Sequence, residues 1–514
     1  MSDTPAWVRD AVFYQIFPDR FAASERVVKP GPLEPWDAPP TYDGFKGGDL
    51  LGIVEHLDHI ASLGVNALYL TPVFQSASNH RYHTYDYMAV DPLLGGDTAL
   101  RELLDAAHAR DIRVVLDGVF NHTGRGFWAF HHVLETGARS PYRNWFHFDQ
   151  EGLDRNRPVD AYPLAHQRRG VALDEPVPGA AEGPGQTARS RFGFDAWWGM
   201  PALPKLNVGE PAVREYIWGV AEHWLRFGID GWRLDVPAEI DDRAFWQEFR
   251  SRCRAINPNA YLVGEIWHVD PDWVSGDRFD ALMNYPLAQA VLGFVGGDSL
   301  NAPLLRSHHE YARITRLDGP AFGAQLQQLL AAYSPETNAA QLNLLGSHDT
   351  PRVLSLLGGD IDAMQLAVLL QGTLPGAPCV YYGDEVGVTG GKDPESRKAF
   401  PWDRARWEAD LLDATRATFA LRRSEPALRA DGVTVLAANG GGLAFERRAG
   451  DRRLAVAINT GDSPTSLALG ATNADAKVLL STGRARMTPP VLSATDTAVT
   501  IQLPRRAGAV VALG

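Results

Sequence analysis

In four short stretches of this chain an apolar run is closed by a carboxylate: DGVFNH at 117–122, GWRLD at 231–235, GEIWH at 264–268 and SHDTPR at 347–352. The runs themselves, VVLDGVF, IDGWRLDV, AYLVGEIW and LNLLGSHD, are short, β-branched or aromatic, and flanked by turn residues, so they read as buried strands rather than helices. Asp117, Asp235, Glu265 and Asp349 then stand at strand ends. A carboxylate at the carboxyl end of each of several parallel strands is what the catalytic face of a (β/α)8 barrel presents. An isolated acid is more often a helix cap or a surface ion pair. Four in the same relation to a strand favour an active-site rim.

The rest of the chain keeps the rhythm those runs imply. FYQIFP (13–18), VNALYLTP (65–72) and IRVVLDGVF (112–120) alternate with helical patterns such as LLGIVEHLDHIASLG and ALRELLDAAHARD. With IDGWRLDV, AYLVGEIW, DALMNY (280–285), LNLLGS (342–347) and PCVYYGDE (378–385) the strand count reaches eight, enough for a parallel sheet to close on itself. An open doubly wound sheet is the alternative, but it places its ligand at one switch point instead of drawing acids from many strands.

The expected organisation is a TIM barrel whose first part spans 1–122 and second part 201–428, with an inserted domain at 123–200 and a C-terminal antiparallel β-sandwich at 429–514. The insert is marked by aromatic clusters (FWAFHH, YRNWFHF) and a Pro/Gly/Gln-rich piece, EPVPGAAEGPGQTA. The sandwich is marked by short alternating runs (VTVLAA, LAFERR, RLAVAINT, AVTIQL, AVVAL) with Gly, Asn and Asp turns.

A chain of 514 residues with 45% hydrophobic content can bury a large core, and its formal charge of -13 offers no footprint for a nucleic-acid partner. The start lacks a basic segment followed by an apolar stretch, and no later run has a membrane-spanning length without charge, so the expected location is the cytoplasm. Cys253 and Cys379 give neither a disulfide framework nor metal-ligand spacing and read as buried thiols.

Cleaving a glycosidic bond with retention requires two carboxyl groups roughly 5 Å apart, one nucleophilic and one protonated. Asp235 and Glu265, closing the fourth and fifth strands, are placed for that. Arg233, two residues before Asp235 and on the same strand face, would keep Asp235 ionised. Ile266 and Trp267 beside Glu265 would raise its pKa and let it hold a proton as general acid.

In these residues the chain resembles the α-amylase family of glycoside hydrolases, closest to its neopullulanase, cyclomaltodextrinase and maltogenic amylase branch. The four stretches match the family's ordered signature blocks, and LPKLN at 203–207 is similar to the branch's MPKLN signature. The resemblance implies Asp235 as nucleophile, Glu265 as general acid/base and Asp349 as the third carboxylate gripping sugar hydroxyls. It places Arg233, His122 and His348 around the same sugar, with Asp117 and Asn121 supporting them. In SNHRYHTYDY, His80 and Tyr82 match the family's histidine and stacking tyrosine, whereas His83 stands where the branch usually has aspartate. Asp393 and Arg397, in GGKDPESRKAF, match positions holding the next sugar toward the nonreducing end, and Trp267 would form a platform on the leaving-group side.

Three departures matter. The branch commonly carries an extra N-terminal sandwich domain that drives dimerisation, but here the first strand begins near Phe13, so a monomer is expected. Relatives often bind calcium in the early loop; of that set only Gly47 and Asp49 match, too few for an ion that takes six or more oxygens. No cofactor is expected to be required. The third departure is VPAE at 236–239 where the branch tends to have VANE.

The expected function is retaining hydrolysis of α-1,4 bonds in maltooligosaccharides, cyclodextrins and related α-glucans, with tolerance of α-1,6 bonds and transglycosylation as extensions. Two alternatives stay open: an intracellular α-amylase or α-glucosidase, and a non-catalytic glucan-binding barrel. The domain at 429–514 reads as a packing domain sooner than as a carbohydrate-binding module.

Overall fold

A computed structural model describes residues 4–163, 188–470, 476–494 and 498–513. Eight strands form one parallel sheet: β1 (Phe13–Ile16), β2 (Ala67–Leu70), β3 (Arg113–Gly118), β4 (Gly231–Leu234), β5 (Tyr261–Gly264), β6 (Ala281–Leu282), β7 (Leu342–Leu344) and β8 (Ala377–Tyr381). Their order, β6-β5-β4-β3-β2-β1-β8-β7, is that of a (β/α)8 barrel, and a parallel bridge between Met283 and Leu342 joins the two ends of the list. Each of the eight expected runs supplies one strand. β1, β2, β4 and β5 are buried along their whole length, as strands covered on both faces must be.

The chain divides into two compact units, one made of Ile16–His56 and Tyr69–Glu265, the other of Met1–Gln15, Leu57–Leu68 and Ile266–Gly514. In the first, the helix Gly96–His108 buries Leu100, Leu103, Leu104 and Ala107, the i, i+3, i+4, i+7 stripe of an amphipathic helix. The helix Pro211–Phe227 starts on a proline and stops at Gly228, whose φ of 114° is the left-handed conformation that ends helices. It delivers the chain to β4 at Gly231, where any Cβ would lie 2.2 Å from the Tyr261 carbonyl oxygen. Only glycine lets β4 and β5 come that close. A two-stranded hairpin, Phe74–Ser76 with Thr84–Val90, follows β2.

Parallel register does the positioning. Asp117 on β3 pairs with Arg233 on β4, Arg233 with Val263 and Leu234 with Gly264 on β5. Asp235 and Glu265 therefore leave neighbouring strands at the same level: Asp235 N–H donates to Gly118 O at 3.1 Å and Glu265 N–H to Leu234 O at 3.0 Å.

In the second unit, residues from Thr434 onward form antiparallel sheets. β9 (Thr434–Asn439), β10 (Gly442–Ala449), β11 (Arg452–Asn459), β13 (Lys477–Gly483) and β16 (Ala507–Ala512) make a sheet ordered β9-β10-β11-β16-β13. β12 (Thr465–Ala468), β14 (Val491–Ala494) and β15 (Val499–Leu503) make another, ordered β12-β15-β14. Alternate residues of both, among them Ala507, Ala509 and Val511 on β16 and Val499, Ile501 and Leu503 on β15, meet in one buried apolar cluster, the core of a sandwich. Both cysteines are buried and free. No described helix is long and apolar enough to cross a membrane. Of the expected insert, residues 164–187, which hold nearly all of the Pro/Gly/Gln-rich piece, lie outside the described residues.

Candidate active site

The sequence-predicted residues fall into two clusters, one in each unit. In the first, Arg233 is fully buried and central. Its Nη1 donates to Asp117 Oδ1 at 2.9 Å and to Asp235 Oδ1 at 2.9 Å, while Nη2 lies 2.8 Å from Glu265 Oε2. One guanidinium thus bridges the acids of three adjacent strands. Burial opposes its charge, but Asp117 and Glu265 outweigh that and hold it well above the ordinary arginine range. Asp117 also accepts from the hydroxyls of Tyr69 at 2.8 Å and Tyr82 at 2.9 Å. Burial pushes its carboxyl up to about 6, against the opposing pull of Arg233.

Glu265, expected beside the apolar Ile266 and Trp267, also has polar partners across the sheet. Besides the Arg233 contact, its Oε2 accepts a hydrogen bond from Val236 N at 3.0 Å. Ile266 and Trp267 are its neighbours in sequence, whereas Arg233 and Val236 reach it from the adjacent strand. Val236 makes its contact from a left-handed conformation, φ 35° and ψ 51°, which a β-branched residue adopts only when its surroundings impose it. Asp235 and Glu265 remain 8% and 7% exposed, so both carboxylates keep an edge to solvent.

Around them, Tyr82 N–H donates to His80 Nδ1 at 3.1 Å, and the His80 and Tyr82 rings lie 5.6 Å apart. His122 is buried and stacked on Trp197 at 4.8 Å; Asn121 Nδ2 is 3.2 Å from its Nδ1. Burial, with His83, Lys205 and His80 nearby, pushes the His122 imidazole down to about 3, so it is neutral at ordinary pH. The LPKLN stretch is what holds it: Lys205 bridges His122, and Leu206 N–H donates to Asn121 O at 3.0 Å.

In the second cluster, His348 Nε2 is 3.3 Å from Asp349 Oδ2, and its Nδ1 is 2.8 Å from Gln15 Nε2. Arg397 reaches Asp393 at 3.0 Å and Asp349 at 3.6 Å, and donates through Nε to the His348 carbonyl at 3.0 Å. Trp267 stacks on Tyr285, centroids 3.6 Å apart and planes 10° from parallel. Its indole is neither plugged into the core nor fully open.

Of the two calcium candidates, Asp49 has both carboxylate oxygens already engaged. Asp49 caps the helix Leu50–Glu55 by accepting from Gly52 N at 2.7 Å, while its other oxygen takes Ser24 N at 3.0 Å and Lys29 Nζ at 2.8 Å. Gly47 N–H is spent on Asp19 Oδ1 at 3.2 Å. The loop's carbonyls of Pro35 and Ala38 receive Lys46 Nζ at 2.6 and 2.7 Å, and Glu34 lies 3.3 Å from the same ammonium. Two lysines hold the oxygens a cation would need. Among the described residues no group of three or more His, Cys, Asp or Glu is arranged to hold a metal ion.

Tyr69, Gln15, Tyr285 and Trp197 were not predicted. Gln15 carries a readable signal, an amide inside the apolar run FYQIFP, and Tyr69 sits in the second strand run. Nothing local to Tyr285 or Trp197 announces their partners.

Comparison with known proteins identifies the family. Residues 15–419 match the family model described as "Alpha amylase, catalytic domain". The chain is 41% identical over 459 residues to a cyclomaltodextrinase of Geobacillus thermopakistaniensis, covering 88% of this chain and 69% of that protein. Among solved structures, it superposes on Ttha1563 of Thermus thermophilus with a TM-score of 0.86 at 46% identity, covering 99% of this chain and 100% of the other. A debranching enzyme of Nostoc punctiforme gives a TM-score of 0.83 at 44% identity, each chain covered in full at 100%. With a catalytic-domain match across most of its length and relatives of this closeness, the chain belongs to the α-amylase family of glycoside hydrolases.

Proposed function

We propose that this protein is a retaining α-glucan hydrolase that cleaves α-1,4 bonds of maltooligosaccharides and cyclodextrins, accepts some α-1,6 bonds, and transglycosylates when an acceptor sugar outcompetes water. One observation carries the reading: a single buried guanidinium, Arg233, bridges Asp117, Asp235 and Glu265 at the ends of three neighbouring strands. In this reading Asp235, ionised beside Arg233, attacks the anomeric carbon while Glu265 gives its proton to the departing glycosidic oxygen. That leaves a glucosyl ester on Asp235. Glu265, now a carboxylate, takes a proton from an incoming water, which displaces Asp235 and restores both groups. Substrate entering between Glu265 and Arg233 would weaken their contact and let Glu265 take up the proton it must donate.

His122, neutral through burial, can exchange hydrogen bonds with a sugar hydroxyl without adding positive charge to a site that must stabilise a developing cation. We assign Asp349 with His348 to gripping sugar hydroxyls, Arg397 with Asp393 to a sugar farther toward the nonreducing end, and Tyr82 to stacking on a ring face. We infer a monomer in the cytoplasm that needs no cofactor. The names of the similar proteins, a cyclomaltodextrinase and a debranching enzyme, support both ring opening and α-1,6 cleavage.

A side-by-side time course of products from β-cyclodextrin, pullulan and soluble starch tests this. Ring opening faster than starch cleavage, with panose from pullulan, is the expected result. Fast starch cleavage with the ring ignored would make it an α-amylase, and no product from any would favour the binding barrel.

A further inference from the structure

The most exposed large aromatic among the described residues of the first unit ends a stack of rings that starts at His122. Trp198 is 66% exposed, an unusual state for an indole in a soluble enzyme. It is not a loose side chain. Its ring stacks on Trp197 with centroids 4.6 Å apart and planes 15° from parallel, and Trp197 in turn stacks on His122 at 4.8 Å and 10°. Three flat rings thus run from a histidine that is 1% exposed to an indole whose outer face is open to solvent.

The backbone beneath this stack is held under strain. Trp198 has φ 50° and ψ 24°, and Gly199 follows with φ 68°. A tryptophan in the left-handed region is disfavoured by its Cβ and persists only where the surroundings impose it. Here they do. The turn is closed by Gly199 N–H to Ala196 O at 3.1 Å and Met200 N–H to Trp197 O at 3.0 Å, and tied below by Trp197 N–H to Leu203 O at 2.9 Å. Glycine at this position would remove the strain, yet the position carries the bulkiest side chain and turns it outward.

We propose that Trp198 is an outer sugar platform, on whose exposed face a glucose residue of the substrate, remote from the bond being cleaved, lays its apolar C–H face. The proposal rests on the α-glucan reading given above. A sugar ring is amphipathic, with hydroxyls at its rim and C–H groups on its faces, so a rigid, flat, solvent-exposed indole is the surface that gains from covering one. The stack is anchored on His122, which lies near His80, and His80 packs on Tyr82, a hydrogen-bond donor to Asp117, so the platform is tied to the carboxylate cluster. Longer glucans would profit; a substrate of a single sugar would not reach.

The test compares wild type with Trp198→Ala, Trp198→Tyr and Trp198→Gly on maltoheptaose and on p-nitrophenyl α-glucoside, with thermal melts of each. The expected result for the alanine variant is a roughly three- to tenfold rise in KM for maltoheptaose with kcat nearly unchanged, and neither constant altered for the aryl glucoside. Tyrosine should restore most of the loss. Trp198→Gly should show the same KM rise as alanine, and since both variants lose the stack on Trp197, relief of the left-handed strain should leave its melting temperature no lower than that of Trp198→Ala. Equal losses on both substrates would make Trp198 a structural residue and overturn the proposal. So would unaltered kinetics on maltoheptaose. Should wild type cleave neither substrate, it is the α-glucan reading that fails, a result distinct from all of these.

Discussion

Two buried cations in the same unit, Arg233 and Lys46, show the difference between a charge that works and a charge that holds. Both side chains are 0% exposed. Lys46 is surrounded by two backbone carbonyls and one carboxylate, Glu34, so its ammonium is roughly neutralised and its neighbours have nothing further to do. Arg233 faces three carboxylates. One guanidinium cannot neutralise them, and two of the three, Asp235 and Glu265, keep an edge to solvent. The excess negative charge is costly to the fold and useful to a reaction whose transition state is cationic at the sugar. Charge balance, more than burial, separates the structural site from the reactive one.

The sharpest way to break this comparison is to remove a charge from the reactive side. Asp235→Asn should lower kcat on maltotriose by on the order of 10^4-fold or more while circular dichroism and melting stay near wild type. Substantial residual turnover would end the nucleophile assignment. Glu265→Gln should cost roughly 10^2- to 10^4-fold on maltotriose but far less on an aryl glucoside, whose leaving group needs little protonation. Equal losses on the two substrates would mean that Glu265 is not the acid.

The same change on the structural side should invert the readout. Lys46→Met keeps the stem and deletes the ammonium, leaving the carbonyls of Pro35 and Ala38 without their donor and Glu34 with only Thr41 and Arg20 as partners. The expected cost is about 3 kcal/mol or more of unfolding free energy, read from urea midpoints, with kcat unchanged below the transition. A variant as stable as wild type would show that the loop does not depend on its ammonium.

How much of this could be read beforehand follows from where the information lies. The eight barrel strands were legible because each is a short apolar run between turn residues, a local signal. Asp117, Asp235 and Glu265 were legible as strand-end acids for the same reason. The surroundings of Glu265 were not, because Ile266 and Trp267 are its neighbours in sequence while Arg233 and Val236 are its neighbours across the sheet. Nothing local to Lys46 and Lys29 announces their partners; only folding brings carbonyls and Asp49 onto them. The stack His122–Trp197–Trp198 joins segments some 75 residues apart, and no periodicity encodes it.

A subtler separation of the two cations uses pH. Asp117 is held up to about 6 against an ordinary 3.8, so between those values the folded protein binds a proton that the unfolded chain does not. The contribution of this group to stability therefore increases as pH falls from 6 to 3.8 and is flat on either side. Asp117→Asn removes the proton uptake. Wild type should gain on the variant, by on the order of 2 kcal/mol across that window, in urea midpoints measured at half-unit steps. A constant difference between the two proteins would mean that Asp117 is ionised throughout, with Arg233 dominating over burial.

The smallest expected effect is the one that concerns calcium. An ion that bound only the folded state with a dissociation constant a hundredfold below its concentration would stabilise it by about 2.7 kcal/mol, and a chelator would withdraw all of that. Here both Asp49 oxygens are taken by a helix cap, Ser24 and the Lys29 ammonium, and the loop carbonyls by Lys46. An entering cation would have to displace two ammonium groups of its own sign. Melting curves in excess chelator and in millimolar calcium should therefore coincide to within about 1 °C, for wild type and for Lys46→Met alike if the methionine variant merely loses a donor. Should calcium raise the melting temperature of Lys46→Met alone, the loop would still be a cation site, with the lysine ammonium as its permanent occupant.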